Sequence, residues 1–275
     1  MILRRMRAEE LGRVLDWAAA EGWNPGLDDA AAFHAADPEG FFVAALDDDI
    51  VAAISVVNHD PRMAFLGLYL CLAEYRGQGI GLALWRHALR HSGPRCVGLD
   101  GVAAQQANYA KSGFVAWGDT TRWQGRLDGS AQPRVRRAGP ADLGDLLRLD
   151  RLATGYDRRK FLTAWLAGTA TRRTVLHRGP HGTDGFATIR QCRNGAKIGP
   201  VVAPDLATAM RLIRAASLEI PAGTQAMDLP QGRADLAGTL SGAGFEPVFR
   251  AARMYRGTPA TGNGTIFAIA TMELG

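Results

Sequence analysis

Leu72-Ala73-Glu74-Tyr75-Arg76-Gly77-Gln78-Gly79-Ile80-Gly81 is the stretch on which the reading of this chain turns. Upstream, residues 63–71 are almost uniformly apolar, which predicts a central strand covered on both faces. Downstream, residues 81–90 have helical spacing. A strand, a turn, a glycine-rich loop and a helix start together make an anion site. The glycines let backbone N–H groups approach oxygen atoms closely, and the first helical turn adds a partial positive charge. Arg76 adds a cation. A P-loop would close on Gly-Lys-Ser/Thr, and no such lysine is present. A dinucleotide loop fits less well: Asp100 ends the next strand at a plausible distance, but Leu84 stands where a third small residue belongs and no further βαβ unit follows. A helix start that binds nothing is the plain alternative.

The flanking pattern gives the architecture. Leu11, Val14, Leu15 and Ala18 share one face of a helix opened by Ala8-Glu9-Glu10 and stopped by Gly22-Trp23-Asn24-Pro25-Gly26. A second helix passes through residues 30–33. Residues 41–46 and 50–57 form a hairpin across Asp47-Asp48-Asp49. After the loop come a helix, a buried strand at 96–99, a helix at 105–111 and a last strand at 114–123. The order ααβββαβαβ predicts an α+β domain with one mixed sheet.

That domain occurs twice. Leu3-Arg4-Arg5-Met6-Arg7 resembles Val135-Arg136-Arg137-Ala138-Gly139, and Phe65-Leu66-Gly67 resembles Lys197-Ile198-Gly199, both 132 residues on. Lys111-Ser112-Gly113-Phe114 resembles Gly242-Ala243-Gly244-Phe245, and Arg122-Trp123 resembles Arg253-Met254, both at 131. Matches in order at nearly one offset predict two copies of a domain, residues 1–127 and 134–275, joined by a polar linker ending at Pro133. The second copy has no glycine-rich run. Ala203-Pro204-Asp205-Leu206-Ala207 leads straight into its helix, and Leu240 stands at the place of Tyr109. It is expected to be degenerate, serving as scaffold or as a wall of the acceptor site.

Composition narrows the function. A hydrophobic fraction of 47% suffices for a packed core, no apolar run is long enough for a membrane span, and the basic N-terminus lacks the apolar stretch of a signal peptide. Cys71, Cys96 and Cys192 are odd in number and scattered, which fits a reducing cytoplasm. The net charge is +5, but the basic residues are dispersed, so neither nucleic acid nor membrane is expected as a partner. His87 and His91, like His177 and His181, lack a third ligand at metal spacing, so no metal is expected.

The loop and the order of elements resemble the GNAT (Gcn5-related N-acetyltransferase) superfamily, whose signature is Arg/Gln-x-x-Gly-x-Gly/Ala after the fourth strand. Glu21-Gly22-Trp23-Asn24-Pro25-Gly26, Leu99-Asp100-Gly101-Val102, Gln105-Gln106 and Tyr109 resemble its YitH-like two-domain branch, as do Gly155-Tyr156-Asp157-Arg158, Ile198-Gly199-Pro200 and Ile266-Phe267-Ala268-Ile269-Ala270. The resemblance covers nearly the whole chain. It implies two tandem GNAT-like domains, each a mixed, mostly antiparallel sheet flanked by helices. Backbone groups near Leu70 and Cys71 would meet pantetheine, and those of Arg76, Gly77, Gln78, Gly79, Ile80 and Gly81 the pyrophosphate of acetyl-CoA. Tyr109 would protonate the leaving thiolate. Val102 replaces an asparagine common in the family, leaving Gln105 or Gln106 to contact the pantetheine arm. Asp100 is the candidate base, and Trp23, Asn24, Asp157 and Arg158 are candidate acceptor contacts. The implied reaction is direct transfer of an acetyl group to the amine of a small molecule. The alternative is a non-catalytic acyl-CoA sensor.

Overall fold

A computed structural model describes residues 1–275. The first half runs β1 (Ile2–Arg5), α1 (Glu10–Ala20), α2 (Asp29–Ala36), β2 (Phe41–Leu46), β3 (Asp49–Asn58), β4 (Met63–Cys71), α3 (Ile80–Leu89), β5 (Cys96–Gly101), α4 (Gln106–Ala110) and β6 (Val115–Gly125). The second half repeats the order as β7 (Val135–Arg137), α5 (Leu143–Thr154), α6 (Arg159–Leu166), β8 (Arg172–Gly179), β9 (Gly182–Gln191), β10 (Ala196–Val202), α7 (Leu206–Glu219), β11 (Gln225–Pro230), α8 (Ala234–Gly242) and β12 (Glu246–Arg256). A last strand, β13 (Ile266–Ala268), follows. The class is α+β with a mostly antiparallel sheet. The sequence pattern missed β1 and β7, which are too short to show an alternation and are held by pairing on β2 and β8.

The sequence predicts one sheet per copy; the halves instead share one. Its order is β1-β2-β3-β4-β5-β12-β6-β11-β10-β9-β8-β7. Strand β12 of the second half lies between β5 and β6 of the first, and β6 reaches over to β11. Each half thus completes its sheet with the other's last long strand. The β6–β12 ladder is symmetric: Glu246 faces Gln124 and Tyr255 faces Val115, pairs that are images of each other at the repeat offset. The same two-fold relation brings Phe33 of α2 onto its counterpart Trp165 of α6, ring centroids 6.2 Å apart and 9° from parallel. One hydrophobic cluster takes Leu11, Val14 and Phe33 from one half and Leu146, Phe161 and Trp165 from the other. The contact between halves is therefore a core that water does not reach, and separating them would expose it.

Each half opens with the same ion pair. Arg4 forks onto Glu10 at 2.8 and 2.7 Å, and Glu10 accepts from the Arg7 N–H at 2.8 Å. In the second half Arg136 forks onto Asp142 at 2.8 and 2.6 Å, and Asp142 accepts from the Gly139 N–H at 2.9 Å. These arginine hydrogen bonds favour the ionised acids and lower both carboxyls to about 2. A depressed folded-state value stabilises the fold above the ordinary carboxylate range near ~4, and that contribution fades as pH falls toward ~2. Glu10→Gln and Asp142→Asn should each cost about 1–2 kcal/mol in urea unfolding at pH 7. The gap to wild type should close as the titration is repeated down to about pH 2; a gap that stays constant with pH would contradict the assignment.

Candidate active site at the split between two parallel strands

Strands β4 and β5 run parallel but pair only from Met63 and Cys96 to Leu66 and Leu99. Beyond that point β4 bulges on its other neighbour. Leu68 and Tyr69 face the single residue Ile54 of β3, and Leu68 takes a φ of 47°. A leucine in that region is strained, and the bulge bends the strand away from β5. The sheet splits, and a cleft of about 930 Å³ opens between the strand ends. Leu66 to Cys71 lines one side, Leu99, Asp100 and Val102 the other. The sequence-predicted Leu70 and Cys71 thus lie on a strand edge that β5 leaves unpaired. Burial pushes the Cys71 thiol up, and no histidine lines the cleft to activate it.

The glycine loop closes one end of the cleft. Gly77 and Gly79 have φ of 76° and 79°, which glycine adopts without steric cost. The backbone N–H groups from Gly77 to Leu82 have no acceptor in the chain; the first helical bond runs from Ala83 to Gly79. These free donors at the start of α3 suit a pyrophosphate. Gly77, Gly79 and Gly81 line the cleft. The Gln78 amide instead bonds Glu74 O, and Ile80 packs into the core beneath. Arg76 departs from expectation. Its guanidinium bonds Cys71 O at 2.8 Å and Glu21 at 2.6 Å, so it braces the loop against β4 and the end of α1 rather than standing as a free cation.

Tyr109 lines the cleft from α4. Its ring lies 5.1 Å from Trp85 at 12°, and its hydroxyl makes no hydrogen bond in the chain while remaining accessible. Burial raises the phenol well above its ordinary value, so it stays protonated and can serve as an acid. Gln105 lines the cleft beside it; Gln106 is turned away onto Gly101 O at 3.2 Å.

Three sequence-predicted roles need correction. Asp100 is the first. Its two carboxylate oxygens are held by Arg253 at 2.8 and 2.7 Å, Thr120 donates to one of them at 2.9 Å, and the side chain is 0% exposed. The strand exchange causes this, because it sets Arg253 of β12 directly opposite Asp100. Only the backbone of Asp100 is left to face the cleft, because both carboxylate oxygens are taken up by Arg253 and Thr120. Second, Asp157 and Arg158 lie away from the cleft. Arg158 forks onto Asp150 at 2.8 and 2.7 Å and donates to Gly275 O, while Asp157 binds Arg159 at 2.7 Å. Third, Asn24 lines the cleft, but its amide exchanges hydrogen bonds with Asn194 at 2.8 and 3.2 Å. Trp23 also lines the cleft, and its carbonyl accepts from Lys197 at 2.7 Å and Arg122 at 3.2 Å.

The far wall is built from residues that no sequence motif marks. Arg122 and Gln124 of β6 line it with Lys197, Ala226, Val248, Phe249, Met272 and Glu273 of the second half. Arg122 forks onto Asp228 at 2.7 and 2.9 Å. The only available hint was Lys197, a lysine inside an otherwise apolar strand.

The equivalent split in the second half is filled. Strand β10 pairs in parallel with β11 only at Ala196 and Lys197, and β13 then takes its place: Ala268 faces Val201, and Ile269 N donates to Asp228 O at 2.9 Å. The start of α7 is capped by Asp205, which accepts from Thr208 N at 2.7 Å. The second half therefore lacks both the cleft and the free helix start. No cluster of three or more His, Cys, Asp or Glu side chains is placed to hold a metal, and no helix is long and apolar enough to cross a membrane.

Comparison with known proteins gives consistent matches in both halves. Residues 8–114 match the model for the acetyltransferase (GNAT) family, and residues 146–268 that for an acetyltransferase (GNAT) domain. The holothin acyltransferase of Pseudoalteromonas sp. (strain SANK 73390) is 36% identical over 97% of this chain and 92% of its own length. The crystal structure of a putative acetyltransferase from Pyrococcus horikoshii superposes with a TM-score of 0.81 at 20% identity, over 100% of this chain and 95% of that one. A tandem GNAT protein from the clavulanic acid biosynthesis pathway has a TM-score of 0.62 at 15% identity, over 94% and 98%.

The buried Asp150–Arg158 pair yields a direct check. Arg158→Met would strand a carboxylate whose side chain is 0% exposed. The variant should lose about 3–5 kcal/mol in urea unfolding, whereas a change below about 1 kcal/mol would mean the pair is not buried as described.

Proposed function

Because this chain belongs to the GNAT family of acyltransferases, with two such domains in tandem, we propose that it transfers an acetyl group from acetyl-CoA to the amine of a small molecule. The observation that carries the reading is the open split. Of the two copies, only the first has a gap between its fourth and fifth strands, with unpaired N–H groups at a helix start on one side and a protonated, accessible tyrosine on the other. The 36% identity to a protein named holothin acyltransferase supports acyl transfer as the chemistry.

The residues fit the cosubstrate. The N–H groups from Gly77 to Leu82 would hold the pyrophosphate, and the free β4 edge at Leu70 and Cys71 would lie along the pantetheine arm. Acetyl-CoA supplies an activated thioester carbonyl. Backbone donors at the split would stabilise the developing oxyanion, and Tyr109 would hand its proton to the departing sulfur. The second half walls the far side, and the Trp23 turn, pinned by Lys197 and Arg122, lines the cleft as well, an enclosure that favours a small acceptor. The three cysteines are unpaired, in keeping with work in a reducing cytoplasm.

The test is CoA release from acetyl-CoA across a panel of small amines. Tyr109→Phe should lower kcat by about 10²-fold and leave acetyl-CoA affinity within about twofold, because only the hydroxyl is removed and the ring stays in place. Tight CoA binding with no release for any amine would favour a non-catalytic sensor.

A further inference from the structure

A free alkylammonium is charged at neutral pH and cannot attack, so the site needs a proton acceptor. No histidine lines the cleft, and its carboxylates are Glu21, Asp100 and Glu273. Glu21 is tied to Arg76 at the loop end. Asp100 is fully engaged by Arg253 and Thr120. Glu273 has no cation within ion-pair distance. Its main chain lies at the mouth of the strand split, where a Cβ added at Gly67 would fall 2.1 Å from the backbone oxygen of Glu273, and the residue lines the cleft. Thr271 donates to its Oε2, while Oε1 accepts nothing from the chain and is not sealed from solvent.

We propose that Glu273, carried by the C-terminal tail of the second half, is the general base for the acceptor amine in the cleft of the first half. This rests on the amine-acetylation reading above. Glu273 takes one proton from the ammonium. The freed lone pair forms the N–C bond as the C–S bond breaks, and the sulfur leaves with the Tyr109 proton. The nitrogen sheds its second proton, which restores the tyrosine through solvent, and Glu273 returns its own to water. One proton is released per amide formed.

The surroundings suit that task. Burial raises the carboxyl above its ordinary value, against the pull of Lys197 of β10, Arg122 of β6 and Arg190 of β9, with Asp29 of α2 adding a smaller push upward. Such a base is better matched to an ammonium than a solvated glutamate. Lys197 lines the same wall, but its Nζ donates to the Trp23 carbonyl and so acts in positioning. The tail is held on both sides of the carboxylate. Thr271 O accepts from Gly275 N at 3.0 Å, His59 Nε2 bonds Leu274 O at 2.8 Å, and Arg158 donates to Gly275 O. Burial lowers His59 to about 4, so it donates as a neutral ring at neutral pH.

The experiment is the pH–rate profile of wild type and Glu273→Gln with an amine that wild type acetylates. Wild type should lose kcat/KM as pH falls through a value above the ordinary carboxylate range. The variant should fall about 100-fold at pH 7, lack that acidic limb and follow only the titration of the amine. Its acetyl-CoA Kd and Tm should match wild type. Glu273→Asp should retain the limb with about 10-fold lower kcat, which keeps the test decisive if the glutamine variant misfolds. Glu273→Gln within about threefold of wild type, or an acidic limb that survives in it, would overturn the role of Glu273 while leaving acetylation standing. Absence of turnover by wild type with every amine would remove the underlying reading and the proposal with it.

Discussion

The antiparallel ladder between β6 and β12 is the constraint on which the rest of the molecule depends. A last strand that stayed at home would leave two separate sheets with facing edges. Exchanged, the two strands satisfy both sets of backbone groups and leave no open edge between the halves. The exchange is fastened by two equivalent pairs. β12 brings Arg253 onto Asp100 at the end of β5, and β6 brings Arg122 onto Asp228 in β11. Buried ion pairs add little net stability compared with apolar packing, but a one-residue slip would leave four charges unpaired. These pairs therefore act on register. That explains why a strand-end aspartate that looks catalytic in the sequence is structural in the fold.

From this nearly symmetric frame, one segment breaks the symmetry. The tail after β12 lies against Gly199 in the second half and Gly67 in the first, equivalent positions in the two copies. In the second half it arrives as β13 and fills the split, while Asp205 supplies the negative charge that a helix start attracts. In the first half it arrives as Met272 and Glu273 and leaves the cleft open. One stretch of chain thus fills the split of one copy and furnishes a wall for the open one.

Much of this was legible in the residues. Alternation, helical spacing and turn residues report local geometry, so the elements around the loop could be read, as could the repeat. Gly77 and Gly79 were readable because their backbone demands glycine. What could not be read depends on neighbours remote in sequence. No pattern within residues 115–125 tells which half their strand will join, since either sheet would bury the same face. Asp100 was rightly placed at a strand end beside the cleft, yet its partner Arg253 comes from a strand 153 residues away in the other half. Asp157 and Arg158 sit at the place of the Trp23–Asn24 turn, but the turn that lines an open split in one half packs on the tail in the other. Glu273 belongs to no motif, and its position follows only from where Arg158 and His59 anchor the chain end.

The same geometry gives the half without an open cleft a structural part in the other. Its β12 completes the sheet of the first half, its Arg253 neutralises Asp100, its Lys197 holds the Trp23 turn, and its tail lines the cleft. Losing the second half would uncover the shared core around Phe33 and Trp165 and remove a wall of the remaining site. The copies therefore differ at the split while remaining bound in structure: one keeps it open, and the other supplies the strand, the ion pairs and the tail that surround it.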